Sequence, residues 1–308
     1  MPTRIGLVGM GLMGQAFIHN LHQRGFVVQG FDPSATRMDQ LRAQGGHPVD
    51  SPAAVARGVD RVIVSVPSSA IGREVLLGAN GIAEGAGEGL IVCDTTTARP
   101  EDSEALAAEL AARGIGFLGS AVSGTSTMAH AGDLVVLAGG ERAHFDACQP
   151  LFAGFSRGAW HVGPVGAGAR TKIIVNLVLA GNRFALAEGL LMGEKAGLDC
   201  PTLLEVLKDS ACGSKTMVDK GPKMLSADYS RQGQVKISLK DSRLMIEMGQ
   251  NLGAPTLMIS VFSQLLQAAY EKGYAEKDSV AFYEILRGMA GLEERPGIDD
   301  VPFGRTPD

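Results

Sequence analysis

Gly9-Met10-Gly11-Leu12-Met13-Gly14 follows the apolar run Ile5-Gly6-Leu7-Val8 and leads into a stretch with helical apolar spacing. Strand, glycine turn and helix in that order form the loop that wraps a dinucleotide pyrophosphate. Gly9 permits the tight turn, Gly11 lets the backbone approach the phosphates, and Gly14 lets the helix pack close to the sheet. The phosphates then meet N–H groups at the positive end of the helix, so all six residues from Gly9 to Gly14 are candidate cofactor contacts. About twenty residues further on, a second apolar run ends at Asp32, as the dinucleotide fingerprint requires. A carboxylate there can hold both ribose hydroxyls and repels a 2′-phosphate. NAD is therefore favoured, while Arg37 close by keeps NADP open.

Outward from this loop, short apolar runs at Arg4–Val8, Val27–Phe31, 61–66, 90–94 and 116–118 read as buried strands. Helical patterns at 13–24, Ala35–Ala43 and 100–113 alternate with them, and Pro100 suits a first helical turn. Such alternation predicts an α/β fold: a doubly wound parallel sheet of the Rossmann type, helices on both faces, continuing through 134–138 and 160–162. The character changes near residue 164. Residues 168–195 contain no proline and form one helical pattern roughly 40 Å long. Further helical patterns follow at 201–208, 239–252, 255–272 and 279–289. We therefore expect a dinucleotide-binding domain over 1–164 and an all-α domain over 165–308, joined by the long helix. Residues 293–308, rich in proline and charge, read as a loosely held tail.

Composition narrows the function classes. The 308 residues carry a net charge of −5, with 45% hydrophobic and 20% charged residues. A net acidic chain without a Lys/Arg run argues against nucleic acid as a partner. Cys93, Cys148, Cys200 and Cys212 form no CxxC pair, and the six histidines no cluster, so no metal site is expected. Scattered thiols and the lack of a secretory pattern suggest a cytoplasmic protein. The most apolar stretch, 173–191, is broken by Asn176, Asn182, Arg183 and Glu188, which argues against a membrane span.

Gly6-Leu7-Val8-Gly9-Met10-Gly11-Leu12-Met13-Gly14 resembles the G-x-I-G-L-G-x-M-G opening of the β-hydroxyacid dehydrogenase family, and the resemblance runs over roughly residues 3 to 290. Val66-Pro67-Ser68-Ser69 is similar to that family's L-P cofactor loop, and Asp94-Thr95-Thr96-Thr97 to its D-x-S-T. The resemblance implies that Val66, Pro67 and Thr97 touch the cofactor; a helix cap before Pro100 is the competing role for Thr97. Ser120-Ala121-Val122-Ser123-Gly124-Thr125 resembles the family's A-P-V-S-G-G. By that likeness Ser123, Gly124 and Thr125 grip a substrate carboxylate through hydroxyl and backbone N–H groups. Two departures stand out: Gly119 replaces the family's aspartate, and Thr125 its second glycine.

Gly166-Ala167-Gly168 with Lys172 and Asn176 resembles the family's G-x-G-x-x-x-K-x-x-x-N. Lys172 and Asn176 are four apart and share one helix face. The resemblance implies Lys172 as general acid and base and Asn176 as a substrate contact. Oxidising a hydroxy acid requires a proton acceptor at the hydroxyl as hydride leaves carbon. Burial and a neighbouring positive charge would disfavour the charged amine and fit it to that task. Lys240-Asp241 resembles the family's K-D, whose lysine reaches the cofactor. The expected activity is thus nicotinamide-dependent hydride transfer to or from a small 3-hydroxy acid or its semialdehyde. An imine reductase and a non-catalytic dinucleotide-binding module are the alternatives, and Lys172 counts against both. An elongated helical half also implies a homodimer or homotetramer.

Overall fold

The computed structural model describes residues 3–230 and 232–295. The chain divides into two compact units, Met1–Lys172 and Ile173–Asp308.

The first unit is an eight-stranded sheet in the order β3-β2-β1-β4-β5-β6-β7-β8. Its strands are β1 (Arg4–Val8), β2 (Val27–Phe31), β3 (His47–Pro48), β4 (Arg61–Val64), β5 (Ile91–Asp94), β6 (Gly116–Ser123), β7 (Leu134–Gly140) and β8 (Ser156–Gly163). Between them run α1 (Leu12–Gln23), α2 (Ala35–Ala43), α3 (Pro52–Ala56), α4 (Ser69–Leu77), α5 (Ile82–Gly85), α6 (Pro100–Ala111), α7 (Ser126–His130) and α8 (Arg142–Phe152). Strands β1 to β6 are mutually parallel, and the order reverses at β1. The sheet is not parallel throughout, as the alternation had suggested. β7 runs antiparallel to β6, and β8 then parallels β7. The link from β6 to β7 holds only the five-residue α7, too short for a crossover, whereas the longer link through α8 allows one. Two apolar layers flank the sheet, one built on Leu7, Phe17, Ile63 and Phe152, the other on Val8, Val62, Val92 and Leu110.

Helix α9 (Ala167–Lys195) starts in the first unit and continues into the second. The second unit then adds α10 (Cys200–Asp209), α11 (Lys215–Ser226), α12 (Val235–Leu252), α13 (Leu257–Ala269) and α14 (Phe282–Met289). Its core joins Ile173, Leu186 and Leu190 of α9 to Leu239, Phe262, Leu266 and Phe282. By length and composition α9 is apolar enough to cross a membrane, contrary to the reading from its broken apolar run. Its positions Ile173, Ala180, Leu186, Ala187 and Leu190 are buried in this helical core, while other apolar residues of the helix are exposed.

Charge organises the second unit as much as apolar packing does. Asp278, fully buried, accepts the Lys220 ammonium at 2.9 Å and the backbone N–H groups of Gln232, Gly233 and Val280. Glu284, also buried, accepts from Tyr229 and from the Arg295 guanidinium, which also donates to the carbonyls of Met224 and Leu225. The chain expected to hang loosely from about 293 is thus pinned at Arg295, and Glu294 pairs with Lys272 and Tyr274. The remainder of that expected tail, 296–308, lies outside the described residues.

Candidate functional site

The glycine loop closes on itself through backbone contacts. Gly9 has φ +91°, and a Cβ there would sit 2.1 Å from the Ser65 carbonyl oxygen. A Cβ on Gly14 would sit 2.2 Å from the carbonyl oxygen of Gly9, so α1 presses directly on the turn. Above Gly11 a Cβ would meet nothing within 4 Å, which leaves the backbone open to an approaching ligand. No side chain caps α1, so its first N–H groups keep their donors for an anion. Asp32, buried at the end of β2, accepts from Met10 N–H at 2.8 Å and Ser34 N–H at 2.9 Å. Its carboxylate therefore fixes the loop. Arg37 pairs with it at 3.2 Å. Open loop, uncapped helix and acidic strand end together fit a dinucleotide.

The loops after β4 and β5 are tied together. Thr95 donates both its N–H and its hydroxyl to the Val64 carbonyl, at 2.8 and 2.9 Å. Asp94 accepts the Thr96 N–H at 2.9 Å, and the Thr96 hydroxyl accepts the Val66 N–H at 3.5 Å. Val66 and Pro67 are held in this way from the neighbouring strand. Burial pushes the Asp94 carboxyl up to about 6, against hydrogen bonds from Thr96 that pull it down. Asp94 also lines a cavity of about 210 Å³ with Ser69, Arg73, Ala98 and Asp102. The N-cap of α6 is Arg99, and no side chain bonds there, so Thr97 does not cap that helix. The Asp94–Thr96–Val66 chain was not anticipated; the D-x-x-T spacing drew attention to Thr97 instead.

Ser123 is the last residue of β6, opposite Val135 of β7. Gly124 follows with φ +145°, where a Cβ would lie 2.5 Å from Leu134. The Thr125 hydroxyl accepts the Met128 N–H at 3.3 Å and caps α7. The family's second glycine is thus replaced by a residue whose hydroxyl has a local task. Asn20 of α1 donates to the Ala129 carbonyl at 2.7 Å, which locks α7, and with it this turn, to the cofactor helix.

Lys172 is positioned by glycines. A Cβ on Gly168 would meet the Gly119 carbonyl oxygen at 2.3 Å and that of Leu137 at 2.6 Å. One on Gly139 would meet the Pro164 carbonyl oxygen at 2.6 Å. The first turn of α9 is therefore pressed onto β6 and β7, and Arg170 bridges to Glu104 of α6 at 2.7 Å. Lys172, half-buried, stands one turn further on. Gly119, one of the two departures, contributes to this close approach. In the second unit the Asn176 amide donates to Asp241 at 3.2 Å, and Lys240 lies 3.3 Å from the same carboxylate. Helix α9 is less enclosed than expected: Ile174, Val178 and Met192 are 53%, 55% and 73% exposed along one face.

Comparison with known proteins follows these features. The family model described as the NAD binding domain of 6-phosphogluconate dehydrogenase matches residues 4–163. The one described as NAD-binding of NADP-dependent 3-hydroxyisobutyrate dehydrogenase matches residues 166–286. The chain is 29% identical over 295 residues to a 2-(hydroxymethyl)glutarate dehydrogenase of Eubacterium barkeri, covering 96% of this chain and 98% of that one. It is 30% identical over 292 residues to the mitochondrial 3-hydroxyisobutyrate dehydrogenase of Rattus norvegicus, covering 92% and 87%. The crystal structure of 3-hydroxyisobutyrate dehydrogenase from Salmonella typhimurium superposes with a TM-score of 0.84 at 26% identity, over 92% of this chain and 99% of that one. With both halves matched and the glycine loop, the Ser123-Gly124 turn and the Lys172 helix in sequence, this chain belongs to the β-hydroxyacid dehydrogenase family of NAD(P)-dependent oxidoreductases.

Proposed function

We propose that this protein moves hydride between nicotinamide and a small 3-hydroxy acid, or reduces the matching semialdehyde, with Lys172 as general acid and base. The observation that carries this reading is the seating of α9. Gly168 lies against the backbone of β6 and β7, so the lysine one turn later has a fixed origin rather than a surface lysine's freedom. Nicotinamide, when bound, supplies the carbon that takes or gives hydride. In oxidation the Lys172 amine accepts the substrate hydroxyl proton, and in reduction it returns one to the carbonyl oxygen. Asn176 orients the substrate through its amide, itself held by Asp241. Ser123 and the amides of Gly124 and Thr125 receive the carboxylate. The loop residues Gly9 to Gly14, with Asp32, Val66, Pro67, Thr97 and Lys240, serve the cofactor.

The buried Asp32 carboxylate supports a preference for NAD, since a 2′-phosphate beside it would be repelled. Arg37, 3.2 Å from that carboxylate, offsets part of the repulsion and leaves NADP usable. The four free thiols agree with a reducing, cytoplasmic setting. The exposed apolar face of α9, with Leu257 and Val261 of α13 also exposed, supports assembly into a homodimer or homotetramer. The test of the activity is the NADH absorbance band with a panel of 3-hydroxy acids. The proposal expects at least one to reduce NAD; a protein that binds NAD but oxidises none of them would be a binding module instead.

A further inference from the structure

Arg183 sits eleven residues beyond Lys172 and seven beyond Asn176 on α9. At 3.6 residues per turn all three fall on one helix face, with about 16 Å of rise from Lys172 to Arg183. The Arg183 Nε donates to the Leu179 carbonyl at 3.4 Å, so the side chain folds back along the helix toward Asn176. Its Nη1 donates to the Ser279 hydroxyl at 2.7 Å. Among the described residues no carboxylate lies within ion-pair distance of it, and Nη2 has no partner. Burial holds this guanidinium below its ordinary pKa, against attraction from Asp278, Asp241 and Asp219.

The nearby acids are mostly committed elsewhere. Asp278 is filled by Lys220 and three backbone N–H groups. Asp241 takes the Asn176 amide and faces Lys240. A half-buried guanidinium with an open edge, on the same face as the substrate-orienting residue, is built to receive a planar anion through two N–H donors. Because the guanidinium folds back about one turn below its own Cα, it stands roughly one turn beyond the level of Asn176. That places it to meet a second carboxylate of a substrate that Asn176 orients.

We propose that Arg183 binds a second carboxylate of the substrate, so that the preferred substrates are 3-hydroxy acids bearing an acidic side chain. This inference rests on the dehydrogenase reading above. Two probes separate it from that reading, 2-(hydroxymethyl)glutarate and 3-hydroxyisobutyrate, which share the hydroxymethyl carboxylate and differ in the second acidic arm. The wild type should favour the dicarboxylate. In Arg183→Met the ratio of kcat/KM for the dicarboxylate to that for the monocarboxylate should fall at least 30-fold, mainly through KM. Arg183→Lys should recover part of it, and stands in if the methionine variant does not fold. A wild type without preference, or a ratio that Arg183→Met leaves unmoved, overturns the assignment. Calorimetric titration with glutarate removes the dependence on turnover. Binding at least tenfold tighter to wild type than to Arg183→Met supports the site even if neither hydroxy acid is oxidised, and equal binding refutes it.

Discussion

The two units hold their functional groups by different means. In Met1–Lys172 backbone meets backbone: Gly9 against Ser65, Gly14 against Gly9, Gly168 against Gly119 and Leu137. In Ile173–Asp308 each pairing has at least one buried charge: Asp278 with Lys220, Glu284 with Arg295 and the Tyr229 hydroxyl, Arg287 with Glu194. Backbone contacts place a group within tenths of an ångström but tolerate no side chain. Ion pairs tolerate sequence change around them, yet each member becomes a liability once its partner is lost. The nucleotide unit should accordingly fail by steric insertion, and the helical unit by loss of charge.

The largest effect expected from this contrast is Asp278→Ala. It strands a buried ammonium and three N–H groups, at a cost of about 4 kcal/mol. Chemical denaturation followed by a helical signal should show it. A loss below about 1 kcal/mol would mean that charge does not organise that unit. Next is Gly168→Ala. A single methyl must displace two carbonyl oxygens, with a cost of about 3 kcal/mol and a fall in kcat, since the start of the Lys172 helix shifts. An unchanged kcat in a folded Gly168→Ala protein would show that the glycine contacts do not set the lysine's position.

The smallest effect has the opposite sign. Asp94 has a folded pKa near 6, above the ordinary carboxylate value, so the folded protein holds a proton that the unfolded chain has already released. The stability that group contributes is complete below pH 4 and is lost as pH rises through 6. Asp94→Asn carries no such loss. It should gain on wild type between pH 4 and 6 and stay more stable at neutral pH, by at most about 3 kcal/mol. Weaker cofactor binding should accompany that gain, because the Thr96–Val66 tie is disturbed. A variant no more stable than wild type at pH 7.5 would remove Asp94 as a cost borne for function.

Legibility followed the same division. Glycine contacts leave a spaced signature, so the Gly9 to Gly14 turn, Asp32 at a strand end, and β1, β2, β4 and β5 could be read from residues alone, whereas the two-residue β3 gave no apolar run to read. β6 was expected over 116–118 but extends to Ser123, because Gly119, Ser120 and Ala121 look like loop residues when the pairing with β7 is unseen. Helix α11 escaped notice because Gly221 and Pro222 lie inside it. A Cβ on Gly221 would meet Leu204 at 2.5 Å, so that glycine serves the packing of α10. The Asp278–Lys220 pair joins residues 58 apart, and no local pattern announces it. Arg183 gave no motif signal; only its hydrogen bonds and its place on α9 distinguish it.

The central claim is that a backbone-seated lysine performs the proton transfer. Its most direct test is Lys172→Ala, assayed for NAD reduction with the best 3-hydroxy acid while NAD binding is followed by fluorescence titration. The account predicts unchanged NAD affinity with kcat lowered by about 10²-fold or more across the pH range. Turnover within a few-fold of wild type, in a protein that still binds NAD, would contradict it.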